Sequence, residues 1–195
     1  MREPAFAQGR DQISCDTEGM ADERPEAGAR SAQPSMLGTP HALVIKPRIS
    51  GSGGLCRRLL VQLPDWFGIP EAVDELVSKA DRATAVVAIL GGREVGLLTL
   101  VRHTEYAAEI DLIAVAPDHH REGIGRSMLD YAERLLARDG VEYLQVKTLA
   151  DTVEYEPYER TRAFYRACGF RPLQVFPQLW DPENPALQLV KRLQS

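Results

Sequence analysis

Between Val115 and Leu129 the chain reads Val-Ala-Pro-Asp-His-His-Arg-Glu-Gly-Ile-Gly-Arg-Ser-Met-Leu. An apolar strand-like run ends at a proline, a Gly-x-Gly turn follows, and an amphipathic helical pattern begins. Such a junction leaves backbone N–H groups unpaired at a helix N-terminus, where they can hold phosphate oxygens. Gly123 and Gly125 have no side chain to keep a pyrophosphate from the backbone, and Arg121 and Arg126 add positive charge beside it. On its own the pattern equally fits a helix that simply opens after a glycine turn. No Lys-Ser/Thr pair follows the glycines, which excludes the nucleotide-binding P-loop. Upstream, Glu109 and Asp111 stand two apart in a run whose period of two predicts a common face for residues 109, 111, 113 and 115. Neighbouring carboxylates push one pKa upward, toward the range of a general base. They could equally bind a cationic substrate or form salt bridges. His103, His119 and His120 have no partner spacing that suggests a metal, and read as solvated loop histidines.

The elements that must position these groups follow from periodicity and breakers. Leu43 to Pro47 reads as a strand ended by its proline, Leu55 to Val61 as a helix, and Pro70 as the first residue of a second helix carrying Val73, Leu76, Val77 and Ala80 on one stripe. Ala85 to Leu90, Gly91-Gly92 and Glu94 to Val101 spell a hairpin. A strand over Ala108 to Val115 leads through the glycine turn into a helix from about Gly125 to Arg138, stopped by Gly140. Then come a strand over Tyr143 to Leu149, a helix over Thr161 to Cys168, and strands over Leu173 to Phe176 and Ala186 to Leu193. The order β, α, α, β, β, β, α, β, α, β, β describes a mixed α/β sheet with a strand–helix–strand crossover at its centre.

His120-Arg121-Glu122-Gly123-Ile124-Gly125, entered from a strand and leaving into a helix, resembles the acetyl-CoA loop of the GNAT superfamily, with His120 where that family usually has Gln or Arg. Tyr158-Glu-Arg-Thr161-Arg-Ala-Phe164-Tyr165-Arg-Ala-Cys168-Gly169-Phe170 is similar to the family's second signature. There Tyr158 and Thr161 replace the common Asn and Ala, while Phe164, Tyr165, Gly169 and Phe170 match. Leu63 to Pro70 and Leu179 to Pro185 also look like segments of its small-molecule branch.

The resemblance implies a mixed, mostly antiparallel sheet, splayed at its centre and flanked by helices, over residues 41–195. It also implies acetyl transfer from acetyl-CoA to a primary amine of a small molecule, directly and in a ternary complex. Acetyl-CoA would lie on Ile113, Ala114, Val115, His120, Arg121, Glu122, Gly123, Ile124, Gly125, Arg126, Ser127 and Tyr158. Strand N–H groups around Ile113 to Val115 would polarise the thioester carbonyl. Tyr165 would be the acid for the leaving thiolate, and Glu109, or else Asp111, the base. Trp66 and Phe67 would wall the acceptor pocket or pack in the core. A homodimer is compatible with the resemblance, and so are a peptide or protein acceptor and a CoA-binding regulatory module without catalysis.

Composition narrows the classes further. With 23 Lys and Arg against 28 Asp and Glu, a net charge of −5 argues against a nucleic-acid binder. No apolar run has transmembrane length, and the opening residues lack the basic-then-apolar order of a signal peptide. Cys15, Cys56 and Cys168 form neither a disulfide framework nor a zinc site, and no metal is expected. A cytoplasmic enzyme without membrane partners is the expectation. Residues 1–35 hold only Phe6 and Ile13 as large apolar groups apart from Met1 and Met20, so residues 1–40 are expected to be a disordered tail, with Met36 an alternative start.

Overall fold

The computed structural model describes residues 42–194, so the expectations for residues 1–40 lie outside the described residues. Strand β1 (Leu43–Arg48) is followed by helices α1 (Gly53–Leu60) and α2 (Pro70–Arg82), the hairpin of β2 (Thr84–Leu90) and β3 (Arg93–Arg102), and β4 (Ala107–Val115). Helix α3 (Ile124–Arg138), β5 (Tyr143–Leu149), α4 (Glu156–Ala167) and the hairpin of β6 (Arg171–Asp181) and β7 (Asn184–Arg192) complete the chain. The element order is the one expected, and the strands form one seven-stranded sheet ordered β1-β2-β3-β4-β5-β7-β6.

Sequence signals fix the boundaries where backbone chemistry is strict. Pro70 opens α2, and Gly91 and Gly92 take φ of 56° and 77° at the β2–β3 turn, a conformation both strands' twist favours. Elsewhere boundaries differ, most tellingly at three places. Pro47 lies inside β1 rather than ending it, which an edge strand tolerates because one side of its backbone is unpaired. Helix α4 begins at Glu156, not Thr161, with Pro157 in its first turn. Strand β6 runs to Asp181, well beyond Phe176; as the outer strand it is almost wholly exposed and carries no alternating pattern to announce it.

Two cores sandwich the sheet. On one face α3 and α4 bury Met128, Leu129, Tyr165 and Phe170 against Ala108, Ile110, Leu144, Val146 and Leu189. On the other, α1 and α2 bury Leu55, Leu59, Leu60 and Val73 against Val87, Leu97, Leu112 and Ala114. Gly140, at φ 79°, ends the turn after α3, and Arg162, 4% exposed, ties α4 to the end of β5 by donating to the carbonyls of Leu149 (2.9 Å) and Ala150 (3.3 Å).

All neighbouring strands are antiparallel except β4 and β5, which run parallel and pair only from Ala107–Tyr143 to Ile110–Val146. Beyond Ile110 the two strands part. Strand β4 goes on to Val115 and β5 to Leu149 with no pairing between them, so the sheet opens into a V at its centre. A parallel pair needs a crossover, here α3, and that crossover springs from the open end of the V.

Candidate active site

The V opens into a cavity of about 1560 Å³ that reaches from the α3 N-terminus through the gap between β4 and β5 to α2 and the β6–β7 turn. Its geometry depends on one irregularity of β4. In the β3–β4 register Thr99 pairs with Leu112 and Leu100 with Ile110, so Asp111 is an extra residue, a β-bulge. The bulge breaks the alternation expected for residues 109, 111, 113 and 115. Ile113 and Val115 pack on the α3–α4 face with Ile110, whereas Leu112 and Ala114 belong to the α1–α2 face. Glu109 and Asp111 therefore do not share a face with Ile113 and Val115. Glu109 lies opposite Ala108 and Ile110, and Asp111 feels the charges of Lys79 and Glu75 on α2.

The two carboxylates have opposite environments. Glu109, 9% exposed, accepts hydrogen bonds from Lys147 Nζ (2.6 Å), His103 Nε2 (2.7 Å) and Gln145 Nε2 (2.9 Å). Burial alone would push its carboxyl up, but these three donors outweigh burial and hold it below the ordinary carboxylate value. Asp111 is half-buried and accepts no hydrogen bond from any described residue. Burial raises its pKa, Lys79 opposes the rise, and the charge of Glu109 adds to it. The group whose proton affinity the site raises is thus Asp111, whereas Glu109, expected as the first candidate for the base, has its anionic form favoured by three donors.

On the phosphate side Gly123 (φ 80°) and Arg121 (φ 68°) adopt left-handed conformations and turn the loop into α3. No side chain caps α3, so the N–H groups of its first turn are left for a ligand. His120 Nε2 donates to the Val115 carbonyl (2.8 Å), and Arg126 to the Ala167 carbonyl (2.9 Å), leaving Arg121 as the loop's unengaged cation among the described residues. The outer half of β4 pairs with β3 through Val115–Gly96, Ala114–Leu97 and Ile113–Leu98, but its edge toward β5 has no strand partner. Across the gap Thr148 is 2% exposed and lines the cavity, and its hydroxyl has no hydrogen-bond partner. An uncapped helix end, an unpaired strand edge and an orphaned buried hydroxyl on one cavity fit a ligand made of a pyrophosphate and an amide-bearing arm.

Of the residues expected at the site, Glu109, Asp111, Ile113, Ala114, Val115, His120, Arg121, Gly123, Ile124, Gly125, Arg126, Tyr158, Trp66 and Phe67 line this cavity. Glu122, Ser127 and Tyr165 do not. The Glu122 side chain turns to His119 (3.1 Å), and Ser127 Oγ donates back to the Gly123 carbonyl (3.1 Å), one turn earlier in its own helix. The Tyr165 ring is 3% exposed and packs edge-on between Phe164 and Phe170. Among the described residues the Tyr165 hydroxyl has no hydrogen-bond partner, and the side chain is buried beside the cavity-lining Phe164. Burial raises its pKa and keeps it protonated.

Trp66 does more than wall a pocket. Its indole N–H donates to Thr161 Oγ1 (3.1 Å), its carbonyl accepts from the Tyr158 hydroxyl (3.3 Å), and its ring meets His120 edge-on. The segment between α1 and α2 is thereby clasped to α4 over the cavity. Phe164, named from the sequence only as a signature match, also lines it, as do Thr148, Lys147 and Trp180, which were not singled out; a threonine and a lysine flanked by apolar strand residues were the available signal for Thr148 and Lys147. Among the described residues no cluster of His, Cys, Asp or Glu could hold a metal ion, and no helix is long and apolar enough to cross a membrane.

The sequence family described as the acetyltransferase (GNAT) domain matches residues 81–172, which run from the end of α2 to the start of β6 and so include the bulge, the loop and α4. No curated protein matches the chain significantly. Among solved structures, a protein from Desulfovibrio desulfuricans assigned to the GNAT acetyltransferases superposes with a TM-score of 0.69 at 20% identity, covering 78% of this chain and 100% of that one. An aminoglycoside 6'-N-acetyltransferase complexed with coenzyme A gives 0.61 at 17% identity, over 78% of this chain and 98% of that one. The ribosomal-protein alanine N-acetyltransferase of Escherichia coli gives 0.63 at 16% identity, over 79% and 96%. At such identities the structures speak for the fold; residues 81–172 match the acetyltransferase (GNAT) domain, so the chain is similar to that family over this stretch and shares its fold.

Proposed function

We propose that the protein transfers an acetyl group from acetyl-CoA to the primary amine of a small molecule, directly, with both substrates bound at once. The observation that carries this reading is the single cavity that joins the uncapped α3 N-terminus to Asp111 through the gap in the sheet. Neither described cysteine, Cys56 or Cys168, lines it, so among the described residues no thiol stands ready to take the acetyl group in passing. The solved aminoglycoside enzyme with coenzyme A supports the choice of donor and of a small acceptor.

Acetyl-CoA supplies a thioester carbonyl, an electrophile for nitrogen. The α3 N-terminus and Arg121 hold the pyrophosphate, the free edge of β4 from Ile113 to Val115 and the Thr148 hydroxyl hold the amide-bearing arm, and N–H groups of that edge polarise the carbonyl. An ammonium loses one proton to solvent before it can react. As the nitrogen bonds to the carbonyl carbon and the carbon–sulfur bond breaks, Asp111 takes the second proton. One proton returns to sulfur, so a single net proton enters solvent. Tyr165 contributes a hydrogen bond rather than outright acid. A phenol raised above its usual pKa near 10 does not surrender its proton to a thiolate whose thiol ordinarily titrates near 8.5. It can still stabilise sulfur as charge develops there.

Initial rates with both substrates varied test the scheme. Intersecting reciprocal plots are expected for a ternary complex, and parallel lines would replace direct transfer with an acetyl-enzyme. Acetylation of a peptide N-terminus in preference to free amines would move the acceptor to the protein class.

A further inference from the structure

We infer that the acceptor is a singly charged primary amine carried on an apolar body, and not a polycation. This rests on the transferase reading above and specifies its substrate. Four carboxylates line the acceptor side of the cavity: Glu75, Glu109, Asp111 and Asp181. Three are already engaged. Glu75 pairs with Lys79 at 2.7 Å, Glu109 with Lys147 at 2.6 Å, and Asp181 accepts from the N–H groups of Glu183 and Asn184, each at 2.8 Å, and from the Asn184 side chain. Asp111 alone remains to meet an ammonium. Lys79, Lys147 and Arg160 face the same space, so a second or third positive charge on the ligand would find cations and no unpaired anion.

The remaining walls are apolar. Phe67, Ile69 and Leu76 line one side. The other is made by an irregularity at the end of β6. There Phe176 pairs with Ala186 and Asp181 with Asn184, so Pro177, Gln178, Leu179 and Trp180 stand against Pro185 alone and bow away from β7. Leu179 and Trp180 line the cavity while 48% and 50% exposed. A half-exposed tryptophan and a single free carboxylate on one cavity are the lining expected for an amine with an aromatic or aliphatic body, whose burial would contribute most of the affinity.

The full chain with saturating acetyl-CoA should be assayed for CoA release with phenethylamine, ethanolamine, spermidine and kanamycin. In parallel, calorimetry in the presence of CoA measures binding of each amine. The inference expects kcat/KM for phenethylamine at least about tenfold above that for spermidine or kanamycin, the factor that about 1.4 kcal/mol of apolar burial corresponds to. Trp180→Ala should lower kcat/KM for phenethylamine at least about fivefold more than for ethanolamine, and Trp180→Phe should restore most of the difference. Preferred acetylation of spermidine or kanamycin would overturn the inference and leave the transferase reading intact, as would equal losses for both amines in Trp180→Ala. Binding of phenethylamine, and not spermidine, without any acetylation would do the reverse. Neither binding nor acetylation of any amine would overturn both.

Discussion

Asp111 and Glu109 lie two residues apart on one strand, and the fold treats their charges in opposite ways. Folding lowers the Glu109 pKa, so that group contributes stability that is present above its unfolded value of 4.5 and lost as pH falls through the folded one. Folding raises the Asp111 pKa from 3.8, so its negative charge works against the folded state at neutral pH, and protonation relieves the conflict. The two isosteric variants should therefore separate. Glu109→Gln leaves Lys147 without its buried partner and is expected to cost about 1–3 kcal/mol, a fall in Tm of roughly 2–12 °C for a domain of this size. Asp111→Asn should hold or raise Tm while lowering kcat by about 10²- to 10⁴-fold, with partial rescue at high pH where the amine is already neutral. Thermal melts and rate–pH profiles read both. A normal kcat in Asp111→Asn would remove it as the base. Tyr165→Phe keeps the ring between Phe164 and Phe170, so Tm and KM for acetyl-CoA should be unchanged. A fall in kcat of about tenfold is the expected size for one lost hydrogen bond to developing charge, and full kcat would return Tyr165 to the core alone.

At the level of elements, the cofactor side of the site is a set of backbone groups with no partner, answered across the gap by one orphaned hydroxyl. Thr148→Val keeps the shape of the side chain and deletes that hydroxyl, so stability should hold or improve, because an unsatisfied buried oxygen disappears. Acetyl-CoA affinity should weaken by about five- to tenfold if the hydroxyl meets the ligand, since a net hydrogen bond is worth about 1 kcal/mol; unchanged affinity by calorimetry would detach Thr148 from the site. What the sequence displayed and what it hid differ by physical kind. Gly123-Ile-Gly125, Pro70 and Gly91-Gly92 act through their own backbone chemistry, so they could be placed without a structure. The bulge at Asp111 could not. A period-two pattern has no mark for an inserted residue, and two acids at positions 109 and 111 read as one face whether or not the register slips between them. Nor could the reach of β6, whose Pro177 to Trp180 segment leaves the ladder and brings Leu179 and Trp180 to the cavity. The element order was legible; the irregularities that build the site were not.

For the molecule as a whole, the sheet holds together as two half-sheets joined over only four residue pairs of β4 and β5, from Ala107–Tyr143 to Ile110–Val146. On the open side of that hinge the halves meet through side chains. Lys147 on β5 reaches Glu109 on β4, and the Trp66 segment is bound to α4 by the hydrogen bonds to Thr161 and from Tyr158. A ligand bound in the V as proposed would touch both halves and do for the outer strand edges what pairing does below. Acetyl-CoA at about 100 times its Kd should stabilise the fold by about 2.7 kcal/mol, a rise in Tm of roughly 5–11 °C. The protection it adds should be uneven. Amide hydrogen exchange is expected to slow most over residues 111–115, the unpaired edge, over 121–126, the loop and first turn of α3, and over 63–69, the segment under the clasp. The β1–β2 pair, remote from the V, should change little. Trp66→Phe removes the bond to Thr161 while keeping an aromatic ring, and should reduce the protection over 63–69 without abolishing that at 121–126. Uniform slowing along the chain would mean that the ligand raises only global stability. Protection confined to β1 and β2 would place the ligand outside the V altogether.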